Sequence, residues 1–164
     1  IFGSFLGGLV GNWLYNRNPR YMPLLSGIAT IIAVAPTLVL IAYPAHTGPG
    51  QVDVLGPLLV GMLAGFFAIV AAPNARAMLL NVNAPETRGS IFALYNMADD
   101  LGKGFGPFFI STLIVSFGRE WAFNVAAMLW LLCGLALLAM IFTFPRDEAA
   151  LNARLATRAE AMTN

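Results

Sequence analysis

Four long apolar runs, about 21–43, 54–80, 86–117 and 121–144, follow one another with only short loops between them. At about 1.5 Å per residue, each is long enough to cross a hydrocarbon core of about 30 Å as a helix. Of the 164 residues, 59% are hydrophobic and only 10% charged, too little polar surface for a soluble domain of this length. Within hydrocarbon every backbone N–H and C=O must be satisfied inside the segment, which makes the runs helices. The expected fold class is therefore all-α, a multi-pass transmembrane helical bundle, with loops too short to hold a second domain.

The opening run, Ile1 to Leu14, reaches only about 21 Å, short of a full crossing. No charged segment precedes it, and it ends in Asn12-Trp13-Leu14-Tyr15 rather than in small residues, so a signal peptide is not expected. Residues 1–15 read instead as the remainder of a helix whose beginning is missing. Residues 145–164 are Ala-rich, mix Arg with Glu, and read as a tail with a short surface helix. Arg17, Arg20, Arg76, Arg88, Arg146, Arg154 and Arg158 fall on one side if the spans alternate, and Arg119 falls on the other. That asymmetry predicts a cytoplasmic C-terminus in an integral membrane protein. The net charge of +1 gives no sign of a nucleic-acid partner. With Cys133 as the only cysteine, no internal disulfide or cysteine metal set can form. His46 stands alone in a Gly- and Pro-containing loop, 46–51, and no nucleophile constellation or phosphate-cradling loop occurs. Neither an enzyme, a cofactor nor a metal site is expected.

The densest group of charges within a run is Asp99-Asp100-Leu101-Gly102-Lys103. At about 100° per residue, a helix places Phe92, Asn96, Asp99, Asp100, Lys103 and Pro107 on one face and Leu94, Ala98, Leu101, Phe105 and Phe109 on the opposite face. A charge in the bilayer costs about 2.5 kcal/mol or more on insertion scales, so this face must meet a partner helix or a wet cavity. Two acids share one base, at spacings of three and four residues that permit pairing. The trio serves either as a neutralised lock between helices or in substrate binding, proton coupling or gating. Gly102, Gly104, Gly106 and Pro107, directly beyond the charges, provide a candidate helix hinge or a surface for close packing. Pro36 predicts a kink in its run. Gly61 and Gly65, at GxxxG spacing, are either a close helix contact or a chance pair. Asn74 and Arg76 could line a cavity mouth, although an interfacial anchor also explains Arg76.

Two stretches together resemble the major facilitator superfamily. Gly8-Leu9-Val10-Gly11-Asn12-Trp13-Leu14-Tyr15-Asn16-Arg17-Asn18-Pro19-Arg20 is similar to the cytoplasmic signature joining the second and third helices of each half, roughly G-x-x-x-D-R-x-x-R-R. It departs from that signature at Asn12, where an acid is expected, and at Trp13, where a base is expected. Residues 81–89, Asn-Val-Asn-Ala-Pro-Glu-Thr-Arg-Gly, running into Asp99 and Gly106-Pro107, resemble the loop and eleventh helix of the family, most closely its spinster-like branch. The resemblance implies the end of helix eight plus helices nine to twelve, the C-terminal portion of an alternating-access transporter with solute bound near the midplane. It implies that Asn96, Asp99, Asp100, Lys103 and Asn74 face the cavity, and that Arg17, Arg20, Glu86 and Arg88 lie near the cytoplasmic gate. Spinster-like transporters are associated with lipid-like amphiphiles and organic anions, and Lys103 would meet an anionic head group. The partner covering the charged face would be the missing N-terminal half or a neighbouring membrane protein. The alternative is a transporter-derived structural subunit without transport activity, which the changed Asn12-Trp13 pair favours.

Overall fold

The computed structural model describes residues 2–43, 46–48 and 51–163. They form α1 (Phe2–Tyr15), α2 (Tyr21–Ile41), a small hairpin of β1 (His46–Gly48) and β2 (Gln51–Val52), α3 (Leu55–Asn81), α4 (Arg88–Phe117) and α5 (Arg119–Thr163). Three helices among the described residues are long and apolar enough to cross a membrane, over Tyr21–Ile41, Leu55–Asn81 and Arg119–Met162. α4, with 30 residues, reaches about 45 Å, but Asp99, Asp100 and Lys103 interrupt its apolar character. α2 packs between α3 and α5, α1 lies against α3, and α4 rests mainly on α5 with a lighter contact to α3. The all-α bundle expected from the apolar runs is what forms.

Small residues decide how closely the helices approach. Gly3, Gly7 and Gly11 recur every four residues, lie on one face of α1 and are buried against α3. A Cβ on Gly7 would sit 2.9 Å from Val70 Cα, and one on Gly11 would overlap the Asn74 amide. Between α2 and α5, a Cβ on Gly27 would sit 2.9 Å from the Gly134 carbonyl oxygen. The GxxxG pair in α3 plays no such part: Gly61 meets only Leu40 at 3.7 Å, and Gly65 has nothing within 4 Å. Buried hydroxyls stay within their own helix, Ser26 Oγ donating to the Met22 carbonyl at 3.0 Å and Thr30 Oγ1 to that of Ser26 at 2.8 Å. Gly7→Ala is expected to destabilise the bundle by about 1–2 kcal/mol, because the two nearest atoms, the Cα and carbonyl oxygen of Val70, are backbone and cannot swing aside. Thermal unfolding in detergent would show this as a lower midpoint, whereas Gly65→Ala, facing open space, should leave the midpoint in place or raise it.

Two local features differ from the reading of the sequence. Residues 46–52 are not simply a loop: β1 and β2 pair antiparallel, His46 opposite Val52 and Gly48 opposite Gln51. Pro49 and Gly50, between the strands in sequence, lie outside the described residues. The tail is not a separate surface helix, because α5 continues through Pro145 to Thr163. Its Ala, Leu, Glu and Arg residues are strong helix formers, and Phe144 and Glu148 anchor its beginning in the bundle. α2 spans Pro36 as one helix to Ile41. By contrast, α4 does stop at Gly118, whose φ of +88° reverses the chain directly into α5.

The core gathers at the end of the bundle where α1 and α3 finish and α2 begins. Met22, Met78 and Phe144 are buried together there, with Tyr15, Leu137 and Met140 packed around them.

Candidate functional site

α4 is held along one edge only. Its partly covered residues are Arg88, Phe92, Tyr95, Asp99, Gly106, Ile110 and Leu113 at helical spacing, with Ile91 and Ile114 beside them, and no α4 residue is fully buried. Asn96, Asp100, Lys103 and Pro107 are exposed on the flank beside that edge, and Leu94, Ala98, Leu101, Phe105 and Phe109 are exposed on the far side. Lipid can cover the far side without cost. The polar flank cannot be left in lipid so cheaply.

On that flank Lys103 Nζ donates to Asp99 Oδ2 at 2.5 Å and stands 3.9 Å from Asp100 Oδ1. The ammonium is thus committed to Asp99, which shares the covered edge, while the Asp100 side chain remains 76% exposed. A second cation comes from α3: the Arg76 guanidinium lies over the Tyr95 ring, 5.9 Å from its centroid. Tyr95 is one turn before Asp99, so two acids and two bases from two helices gather along this seam. The sequence leaves Arg76 open between a cavity mouth, shared with Asn74, and an interfacial anchor. The usable signal was spacing, because two residues turn a helix by about 200°, which sets Arg76 opposite Asn74.

Asn74 lies elsewhere. It is 1% exposed between α1 and α3, and its Nδ2 donates to the Gly7 carbonyl at 3.1 Å and to that of Val70 at 2.9 Å. Helix packing accounts for it, and it is not brought together with Asp99. α4 runs unbroken through Gly102, Gly104, Gly106 and Pro107, and a Cβ on any of these three glycines would meet nothing within 4 Å. Close packing inside the bundle therefore does not require them.

Arg17, Arg20, Glu86 and Arg88 lie at the same end of the bundle but in two separate groups. The Arg17 guanidinium stacks on Trp13, 4.2 Å from the ring centroid, so the residue in place of the expected base becomes an aromatic partner. The exposed Arg20 follows in the same turn, its backbone N–H donating to Asn18 Oδ1 at 3.0 Å. Glu86 Oε1 meets Arg158 at 3.5 Å, and Arg88 Nε donates to the Asn83 carbonyl at 3.2 Å. Among the described residues no ion pair joins the two groups. Sequence reasoning missed Glu148, which is 7% exposed and accepts the Tyr15 hydroxyl proton, tying the end of α1 to the extension of α5. The signal available was the continued helical spacing of Phe144, Glu148, Leu151 and Leu155 beyond Pro145.

At the opposite end Asp53 accepts from the Tyr43 hydroxyl at 2.6 Å and from the Gly56 backbone N–H at 3.0 Å. These donors, Tyr43 foremost, hold the Asp53 carboxyl below its ordinary range. Asp53 borders an open groove of about 610 Å³ together with Arg119 and Glu120.

No curated protein and no solved structure matches the chain. The family profile of the Major Facilitator Superfamily matches residues 1–161, nearly its whole length. With apolar helices long enough to cross a membrane, a match of this extent places the chain in the Major Facilitator Superfamily of membrane transporters.

Proposed function

We propose that the chain is the C-terminal portion of a secondary transporter, the end of helix eight and helices nine to twelve, moving a small organic or amphiphilic solute by alternating access. The observation that carries this reading is the α4 seam, where Asp99, Asp100, Lys103 and Arg76 gather on a flank that the bundle leaves open. Intramembrane ionisable groups mark solute and ion pathways. Asn96, Asp99, Asp100 and Lys103 line the pathway, with Arg76 at its edge. Both signs of charge are present, so the site suits a solute with an anionic head group on Lys103 or Arg76, or a proton on one of the carboxylates. The similarity of residues 81–89 to the spinster-like branch supports an amphiphilic solute. The arginine-rich end, with Arg17, Arg20, Glu86 and Arg88, is the cytoplasmic side and carries the gate, and the C-terminus lies there too. The N-terminal half of the transporter covers the polar flank of α4.

Single cysteines at Asn96, Asp100, Lys103 and Pro107, in a Cys133→Ser background, test this with a membrane-impermeant thiol reagent. All four should label in intact membranes, while cysteines at Leu94, Leu101 and Phe105 should not. The second reading, a structural subunit without transport, draws on the Asn12-Trp13 pair and on the same open flank. It requires a protein partner to seal that flank, and protection of all four positions would support it against the transporter reading.

A further inference from the structure

A groove of about 420 Å³ lies between α1 and α2 over α3, and its lining includes Leu14, Tyr21, Leu25, Ile28, Ile32 and Phe67. It continues along α1 into a smaller hollow of about 220 Å³ that shares Leu25 and Phe67 and adds Leu6 and Val10. Every lining side chain is apolar apart from the Tyr21 hydroxyl. From Tyr21 to Ile32 α2 rises about 16 Å, so the groove follows the helix for roughly half the thickness of a hydrocarbon core. That suits one extended hydrocarbon chain.

The upper end of the groove has a distinct chemistry. Leu14 and Tyr21, which line it there, are the residues flanking the turn Tyr15-Asn16-Arg17-Asn18-Pro19-Arg20, compacted by the bonds from Asn18 N to the Leu14 carbonyl and from Tyr21 N to that of Asn18, both at 3.0 Å. The turn holds two arginines and no acid. Arg17 and Arg20 are exposed, neither is in an ion pair among the described residues, and Arg17 rests on the exposed Trp13 ring. Asn16 and Asn18 add amide donors. An apolar groove bordered by the two ends of a turn whose two arginines are in no ion pair among the described residues is, in a membrane protein, complementary to a phospholipid that carries a net negative head group. We infer that this groove binds an anionic phospholipid of the surrounding bilayer, one acyl chain along α2 and the head group on Arg17 and Arg20.

Trp13, on whose ring Arg17 rests, reports on the head-group end of the site. The full chain with Trp121→Phe and Trp130→Phe, which leaves Trp13 as the one tryptophan of the 164 residues, is placed in phosphatidylcholine nanodiscs. These contain an equal small mole fraction of either phosphatidylglycerol or phosphatidylcholine with brominated acyl chains. Brominated phosphatidylglycerol should quench Trp13 at a lower mole fraction than brominated phosphatidylcholine. Each of Arg17→Gln and Arg20→Gln should cut that preference about fivefold, the effect of one basic group at a membrane surface. The double variant should abolish it, and Arg17→Lys with Arg20→Lys should keep it, because the charge is retained. Equal quenching by the two lipids overturns the inference. So does a preference that survives the double Gln variant, or a Trp13 that neither lipid quenches, since a protein would then cover the groove.

Discussion

Asp99→Asn is expected to lower solute uptake about tenfold or more in reconstituted vesicles, a loss on the scale of one charge-assisted hydrogen bond of about 1.5–3 kcal/mol. Asp99 is the carboxylate that holds Lys103 Nζ, at 2.5 Å, and it sits where the charged flank meets the covered edge of α4. Asp100→Asn should cost less, because its oxygen is 3.9 Å from the ammonium. The double variant Asp99→Asn, Lys103→Gln distinguishes two roles for the pair. If the pair only neutralises itself between helices, removing both members together should recover most of the uptake, as it does for ion pairs that serve no further purpose. If Lys103 or Asp99 meets the solute or a proton, the double variant stays as poor as the single ones, and that is the expected result. The assay uses labelled organic anions and amphiphiles as probes. Uptake that survives Asp99→Asn and Asp100→Asn taken separately would remove α4 from the pathway.

How much of this was legible in the sequence differs between the two scales of the structure. The helices were, because run length and hydropathy report the bilayer directly, and the face shared by Asp99, Asp100 and Lys103 follows from helical period alone. Which helices touch was not. The Gly61 and Gly65 pair has the same spacing as Gly3, Gly7 and Gly11, yet only the α1 stripe meets a neighbouring backbone. Spacing defines a smooth face but does not say which helix arrives there. The same limit separated Asn74 from Arg76: two residues apart in sequence, they belong to different seams, one with α1 and one with α4. Pro145 misled for a different reason. Proline in a helix removes one hydrogen bond and usually marks an end, but here Phe144 and Glu148 on either side of it are both anchored in the bundle, which holds the turn in place.

That anchoring gives the second large effect. Tyr15→Phe is expected to destabilise the protein by about 3 kcal/mol, because Glu148, 7% exposed, would keep its buried carboxyl and lose the hydroxyl that donates to it. Glu148→Leu alone strands the phenol instead and should cost less, since a hydroxyl is cheaper to bury unpartnered than a carboxyl. The double variant Tyr15→Phe, Glu148→Leu should recover most of the loss, because replacing both partners by apolar groups of similar shape leaves nothing unsatisfied. Unfolding midpoints in detergent measure all three, and simple additivity of the two single changes would show that the contact carries no coupling. The consequence reaches the charged helix. Glu148 docks the extension of α5, and Arg158 on that extension meets Glu86 in the loop that launches α4. Loosening Tyr15 from Glu148 therefore frees the far end of α5 and, with it, one of the few restraints on where α4 begins. Trypsin should then cut at Arg154 and Arg158 sooner in Tyr15→Phe than in the parent chain, while Glu86→Gln, which breaks only the outer pair, should leave the unfolding midpoint nearly unchanged.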